Sequence, residues 1–162
     1  MPEDFFPVPQ AWAEGAYMDR GKREADYARS VEDSDAYWLD RAGRLDWMTP
    51  PTRANESSFA EADFGIKWFA DGVLNVSVNC IDRHLDERGD QTAIIWEPDS
   101  PDAEPRRYSY RQVHAEVCRF ANVLKAAGAK KGDRITIYLP MIPEAAFALL
   151  ACARIGAIHS VV

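Results

Sequence analysis

The arrangement of apolar and polar residues is regular from about residue 64 to the end of the chain. The strongest helical stripe has apolar residues three or four positions apart, at Val113, Val117, Phe120, Leu124 and Ala127. Ser109 and Gln112 have the spacing of a capping box, in which each side chain satisfies a free backbone amide at the start of a helix. The pattern therefore predicts an amphipathic helix that begins after Ser109 and ends at Gly128.

Two further helices are predicted on either side of this one. The sequence NVSVNCIDRHLDERG has an apolar stripe at Val78, Ile81 and Leu85, which predicts one helix that ends at the final glycine. The sequence PEAAFALLACARIG begins with a proline, which the first turn of a helix tolerates, and it also ends with a glycine. Because this second segment is apolar on nearly every side, both of its faces are expected to be covered.

Short apolar runs between these helices predict strands. TAIIWE is rich in β-branched residues, and RRYSY can pair with it as the second arm of a hairpin. RITIYLP before the last helix and IHSVV after it predict two parallel strands joined by a helical crossover. These runs predict the α/β fold class with a parallel sheet.

The last residues of the chain bear on how much of the sheet is present. Val161 and Val162 resemble the first half of a central strand. Parallel sheets are covered on both faces and tolerate bare edges poorly, so we expect the parallel sheet to be incomplete in this chain. The pattern favours a piece of a longer α/β protein, and a complete small domain that ends in a short edge strand is the alternative.

Residues 1–62 lack this regularity and are predicted to form an irregular N-terminal extension with one or two helices. One helix is expected at residues 35–45, with Ser34 as its N-cap. Aromatic residues are scattered along the extension, which predicts that it covers the surface of something larger. The expected domains are therefore residues 1–62 and residues 63–162, the second being the truncated start of a large α/β domain.

Composition and charge exclude several classes of protein. The 162 residues carry a formal net charge of −7, which argues against a nucleic-acid binder because such proteins present a basic surface. The apolar run from Ala145 to Ala153 is too short for a membrane span of about 20 residues, and the N-terminal residues contain no apolar signal-peptide core. The three cysteines form no CxxC pair and are expected to be reduced thiols of a cytoplasmic protein.

Candidate chemistry is sparse in these residues. Neither GxxxxGK[ST] nor GxGxxG is present, so no phosphate-binding loop is predicted. The three histidines lack metal-ligand spacing, and no metal site is predicted. His159 and Ser160 are neighbours on a predicted strand, where they point to opposite faces and cannot act as base and nucleophile. Lys130, Lys131 and Arg134 converge as a candidate anion site, for which a solvated turn is the simpler interpretation.

Longer motifs identify a family. The chain contains LN…NC.DRHL…RGD.TAI.WE, VCRFANVLK, KKGDR, PMIPEA and ACARIGA.HSVV, and nearer its start DSDAYWLDRAGRLDW and SSFAEADFGIKWF. In order and spacing these motifs closely resemble the acetyl-CoA synthetases, which are AMP-forming acetate–CoA ligases of the adenylate-forming superfamily. The resemblance covers about residues 30–162 and implies an N-terminal extension followed by the opening βαβ part of the large AMP-binding domain.

The resemblance also implies a reaction and a set of ligands. Such an enzyme converts acetate, ATP and CoA to acetyl-CoA, AMP and pyrophosphate through an acetyl-adenylate, with Mg²⁺ neutralising the phosphates. In the family the catalytic motifs lie beyond the last residue of this chain, so no catalytic residue is assigned and the chain alone is expected to be inactive. Ser160, Val161 and Val162 lead toward the CoA-side segment of the family and are the only candidate cofactor-binding residues.

Two alternatives stay open. Propionate or acetoacetate could replace acetate, because the acyl pocket of the family lies outside these residues. A stand-alone interaction module is the alternative outside enzymes, and the apolar helix at PEAAFALLACARIG argues against it because such a module would present a polar outer face.

Overall fold

The computed structural model describes residues 6–162, which divide into two compact units. The first unit takes the described residues up to Arg44 together with Pro51–Asp71, and the second takes Leu45–Pro50 together with Gly72–Val162. The sequence predicts a boundary between two domains at residues 62 and 63, and this stays a prediction. The part of the predicted extension before Phe6 lies outside the described residues.

Helices form the regular part of the first unit. They are α1 (Gln10–Glu14), α2 (Arg20–Glu32) and α3 (Ser34–Ala42). An ion pair between Arg41 Nη2 and Asp26 Oδ1, 3.0 Å apart, joins α3 to α2. α2 buries no residue, and the sequence pattern does not locate it.

The helix expected at residues 35–45 is α3, but its N-cap is Asp33 and not Ser34. The Asp33 carboxylate accepts a hydrogen bond of 3.2 Å from the backbone N–H of Ala36. Aspartate and serine are equally good N-caps, so the backbone decides between them. Asp33 has non-helical angles (φ −136°, ψ 72°), whereas Ser34 is already the first residue of the helix.

The second unit alternates strands with helices. Its strands are β1 (Trp47–Thr49), β2 (Val73–Leu74), β3 (Thr92–Trp96), β4 (Arg106–Ser109), β5 (Arg134–Ile137) and β6 (Ile158–Val161). Its helices are α4 (Val76–Cys80), α5 (Leu85–Arg88), α6 (Tyr110–Ala126) and α7 (Pro143–Ile155), with a 3₁₀ turn at Asp82–His84 before α5. The fold class is α/β, as the pattern predicts.

The sequence NVSVNCIDRHLDERG forms α4, the 3₁₀ turn and α5, so the prediction of one helix is wrong. Ile81 leaves the helical conformation (φ −127°, ψ −62°) and buries its side chain in the core. The valines, serine and asparagine of α4 have low helix propensity, so little is lost when the helix is interrupted. Burial of Ile81 therefore outweighs helical continuity in this segment.

Both predicted strand pairs are confirmed. β3 pairs antiparallel with β4, and β5 pairs parallel with β6 through the crossover helix α7. Within the described residues no strand pairs with the second edge of β6. Ile158, Val161 and Val162 are exposed there. An exposed apolar edge of this kind is what the expected incomplete sheet requires.

The main core lies between α6 and α7. Val117 of α6 is fully buried, and the Phe147 ring of α7 meets the Tyr108 ring edge-on with centroids 5.3 Å apart. Ser109 and Gln112 form the predicted capping box at the start of α6. Every residue of α7 is buried or half-buried as a whole, but the Glu144 side chain is 42% exposed, so the predicted covering of both faces of this helix is incomplete.

Gly156 ends α7 in the left-handed conformation, with φ 74°. A Cβ at this position would also lie 3.0 Å from Cγ of Lys131. We expect Gly156→Ala to lower the free energy of unfolding by about 1–2 kcal/mol, measured by urea denaturation. Gly156→Asn is the control and should lose less, because asparagine tolerates this conformation better than alanine. Equal losses would contradict the backbone explanation.

Candidate functional site

The predicted CoA-side residues lie on β6 and directly after it. Ser160 aligns with Thr136 of β5, and Val162 donates its backbone N–H to the carbonyl oxygen of Ile137 at 3.1 Å. Ser160, Val161 and Val162 are all exposed. Their backbones are therefore held by β5 on one side, and their assignment to a CoA side stays a prediction.

A charged network joins three parts of the second unit. Arg154 of α7 donates two hydrogen bonds, each 2.8 Å long, to the carboxylate of Asp82 in the 3₁₀ turn. Both side chains are mostly buried, with exposed fractions of 24% and 25%. His114 of α6 adds its Nε2 atom 3.4 Å from Asp82 Oδ1. The network therefore ties the 3₁₀ turn and α6 to α7.

The side chain of Asn75 also forms hydrogen bonds with the end of α7. Its Nδ2 atom donates hydrogen bonds to the carbonyl oxygens of Ala153 and Arg154, at 3.2 and 3.1 Å. Its Oδ1 atom accepts hydrogen bonds from the backbone N–H groups of Ser77 and Val78, so the same side chain caps α4. An asparagine before a helix is a recognised N-cap signal, but its contact with α7 has no signature in the sequence.

Cys118, His114 and Asp82 resemble a nucleophile, base and acid in composition but not in geometry. Cys118 Sγ lies 3.5 Å from His114 Nε2, and Asp82 approaches this same nitrogen. A catalytic histidine instead uses one ring nitrogen for the nucleophile and the other for its carboxylate. Arg154 Nη2 also lies 3.3 Å from this nitrogen, so three neighbours converge on one ring atom of His114. The cluster is structural and not a catalytic triad.

Asp82 makes the stability of the chain depend on pH. The hydrogen bonds from Arg154 hold the pKa of Asp82 below its ordinary value, while partial burial opposes this effect. A carboxyl with a lowered pKa in the folded chain stabilises the fold above its unfolded pKa of about 3.9, and this contribution disappears as the pH falls through the folded pKa.

We therefore expect the urea midpoint of the unmodified chain to fall more steeply below about pH 4 than that of the Asp82→Asn variant. The variant has no carboxyl at this position and so lacks the proton uptake that drives the loss. Urea titrations at a series of pH values measure the effect. Parallel pH profiles for the two proteins would rule out this role of Asp82.

A cleft with a basic lining, called the basic cleft below, lies where α6 and α7 end and the turn before β5 begins. Its volume is about 470 Å³, and its polar lining side chains are Cys118, Asn122, Lys125, Lys130, Lys131 and Arg154. The predicted convergence of Lys130 and Lys131 is present, but Arg134 does not line the cleft. Lys125 and Arg154 take part instead, and their sequence positions give no sign of it.

The remaining groups with possible chemistry are the cysteine thiols and the side chains that could bind a metal ion. Cys80, Cys118 and Cys152 are free thiols, and burial raises the pKa of the Cys152 thiol. Across residues 6–162, no three side chains of His, Cys, Asp or Glu gather in a way that could hold a metal ion. None of the helices in this part of the chain has the length and apolar character needed to cross a membrane.

Two family matches divide most of the chain between them. Residues 81–162 match the AMP-binding enzymes, and residues 23–80 match the acetyl-coenzyme A synthetase N-terminus. The chain therefore belongs to the AMP-binding enzyme family.

Individual relatives show which members of this family the chain resembles. The chain is 58% identical to the acetyl-coenzyme A synthetase of Novosphingobium aromaticivorans and 57% identical to that of Bradyrhizobium diazoefficiens, in each case over 100% of this chain. It spans 25% of the length of either relative. The resemblance to acetyl-CoA synthetases that the motifs indicate is confirmed.

A solved structure supports the fold. The acetoacetyl-CoA synthetase from Streptomyces lividans matches with a TM-score of 0.75 and 28% sequence identity. The match covers 94% of this chain and 23% of that protein. The α/β arrangement described above is therefore that of the corresponding part of an acyl-CoA synthetase.

Proposed function

We propose that this chain is the N-terminal part of an acetate–CoA ligase, which converts acetate, ATP and CoA to acetyl-CoA, AMP and pyrophosphate through an acetyl-adenylate. The observation that carries the proposal is the 58% identity to an acetyl-coenzyme A synthetase over the whole chain. The adjoining matches of residues 23–80 and 81–162 support it, because they follow the order of an extension and an AMP-binding part.

In this proposal the chain contributes structure and no catalytic group. The crossover from β5 through α7 to β6 starts the parallel sheet, and a further strand would cover the exposed edge of β6. Ser160, Val161 and Val162 would lead from this edge toward the CoA side. Mg²⁺ would be held by residues outside the described part of the chain, which offers no metal-binding cluster.

Propionate and acetoacetate are the alternative acids. Over the matched segments, this chain is 28% identical to the solved acetoacetyl-CoA synthetase, and 58% and 57% identical to the two acetyl-coenzyme A synthetases. This difference favours acetate. A stand-alone interaction module is less well supported, because the matches of residues 23–80 and 81–162 are both to enzyme families.

ATP–pyrophosphate exchange tests the proposal, because it reports formation of an acyl-adenylate. The whole protein is expected to show exchange that depends on acetate. The 162-residue chain alone is expected to show none, since it contains no phosphate-binding loop. Propionate and acetoacetate are the matched acids, and faster exchange with either would replace acetate as the substrate. A whole protein that exchanges with none of the three acids would contradict the ligase assignment.

A cytoplasmic location belongs to the same proposal. Its support is that Cys80, Cys118 and Cys152 are all free thiols, as expected of a protein in a reducing compartment. Fractionation of cells that produce the whole protein tests it, and recovery outside the cytoplasmic fraction would refute it.

A further inference from the structure

We propose that the basic cleft binds a compact polyphosphate anion. Lys125, Lys130, Lys131 and Arg154 line it, and none of its lining residues is acidic. The chain as a whole is acidic, with 26 Asp and Glu residues against 19 Lys and Arg residues. A cleft without carboxylates in such a chain attracts anions that most of the surface repels.

The three lysines have no ion-pair partner within the residues that the structure describes. Other basic side chains of the same unit do have one, for example Arg106 with Glu144 at 3.2 Å. Asp133, the acidic residue of the adjoining turn, accepts a hydrogen bond of 2.7 Å from the backbone N–H of Lys130. The ammonium groups are therefore available to a ligand.

The dipole of α6 offers a competing explanation, because cations near a helix C-terminus stabilise the helix. Lys125 lies in the last turn of α6 and fits this explanation. Lys130 and Lys131 lie beyond the helix, and the final carbonyl groups of α7 are already bonded to the Asn75 side chain. The dipole effect therefore accounts for Lys125 but not for Lys130 and Lys131.

Arg154 forms a fixed part of the cleft wall but adds little net positive charge to it. Its guanidinium is fixed by the two hydrogen bonds to Asp82, which also offset its positive charge. The lysines supply the net charge, and the amide of Asn122 on the same wall adds a hydrogen-bond donor. A ligand is therefore recognised by several ammonium groups on a wall of fixed position.

The lining also selects the chemical class of the ligand. A volume of about 470 Å³ accommodates a small molecule. No aromatic side chain lines the cleft, so a nucleobase would find no ring on which to stack. Several ammonium groups match the several charged oxygens of a pyrophosphate or triphosphate. The recognised chemistry is therefore the phosphate chain itself, free or as the tail of a nucleotide.

Calorimetric titration of the 162-residue chain with sodium pyrophosphate, without divalent metal, tests the proposal. Saturable binding is expected, and Lys130→Gln/Lys131→Gln should weaken it by about tenfold or more, because charge-assisted hydrogen bonds are lost. Lys22→Gln/Lys67→Gln removes the same charge from exposed lysines of the other unit and should leave the affinity unchanged. Absence of saturable binding, or equal affinities of the two double variants, would overturn the proposal.

Cys118 provides a second readout that needs no substitution. It lines the cleft, whereas the exposed Cys80 does not. Pyrophosphate should slow alkylation of Cys118 by iodoacetamide and leave Cys80 unaffected, as measured by peptide mass spectrometry. Unchanged alkylation of Cys118 at saturating pyrophosphate would place the bound anion elsewhere and overturn the proposal.

Tripolyphosphate and ATP distinguish the two sources of a phosphate chain. Equal protection of Cys118 by both is expected, because the cleft offers nothing to the base. Much stronger protection by ATP would show that the base is recognised and would overturn the assignment to a compact anion. These measurements use the chain alone, so their outcome does not depend on the ligase assignment.

Discussion

Replacing Phe147 with alanine is expected to lower the free energy of unfolding of this chain by about 3–5 kcal/mol. The ring is only 4% exposed and lies in the core between α6 and α7. Its loss would remove buried apolar surface and leave a cavity that the two packed helices cannot close. The expected loss is a large part of the total stability of a natural domain, about 5–15 kcal/mol. Equilibrium urea denaturation followed by circular dichroism measures it.

Tyr138→Ala is the matched control for this prediction. Tyr138 is an aromatic residue of the same unit, but 85% of its surface is exposed. Its removal should change the free energy of unfolding by less than about 0.5 kcal/mol. Phe147→Leu should lie between the two, because it keeps much of the buried volume. Similar losses for Phe147→Ala and Tyr138→Ala would show that this core does not carry the stability of the unit.

Arg154→Met is expected to cost about 2 kcal/mol of unfolding free energy, because it removes two charge-assisted hydrogen bonds from a mostly buried carboxylate. Methionine keeps the unbranched side-chain stem, so the variant removes charge and hydrogen bonds with little change in packing. Asp82 would be left with His114 as its neighbour, at 3.4 Å. The measurement is again the urea midpoint at neutral pH.

Arg111→Met is the control for the effect of charge at the surface. Arg111 pairs with Asp90 at 3.4 Å, but these side chains are 62% and 91% exposed, so the pair is worth less than about 0.5 kcal/mol. Adding Asp82→Asn to Arg154→Met should restore part of the loss, since no unpaired buried charge then remains. If the two arginine variants lose equal stability, the Asp82–Arg154 pair is no more important than a surface ion pair.

The best predictions from sequence concern elements whose signals are local. The capping box at Ser109 and Gln112, the stop of α7 at Gly156 and the pairing of β3 with β4 all depend on residues close together in the chain. Helix caps, glycine stops and hairpins are short-range features, so composition and spacing are enough to locate them. The parallel pairing of β5 with β6 follows for the same reason, because one crossover helix connects them.

The wrong predictions concern elements whose signals are weak or depend on distant partners. The expected helix from Asn75 to Arg88 breaks where Ile81 turns into the core. Of the residues predicted for the anion site, Arg134 does not line the basic cleft, while Lys125 does. In each case the outcome depends on which side chains become neighbours after folding.

The sequence by itself determined the α/β class, the strong helices α6 and α7 and the acetyl-CoA synthetase resemblance, because periodicity, capping residues and motif order are all written along the chain. Only the tertiary structure brought Asp82, His114 and Arg154 into one network and placed Lys125 beside Lys130. The physical reason is that ion pairs and clefts depend on distances in space. The packing of α6, α7 and the 3₁₀ turn sets those distances, and spacing along the chain does not.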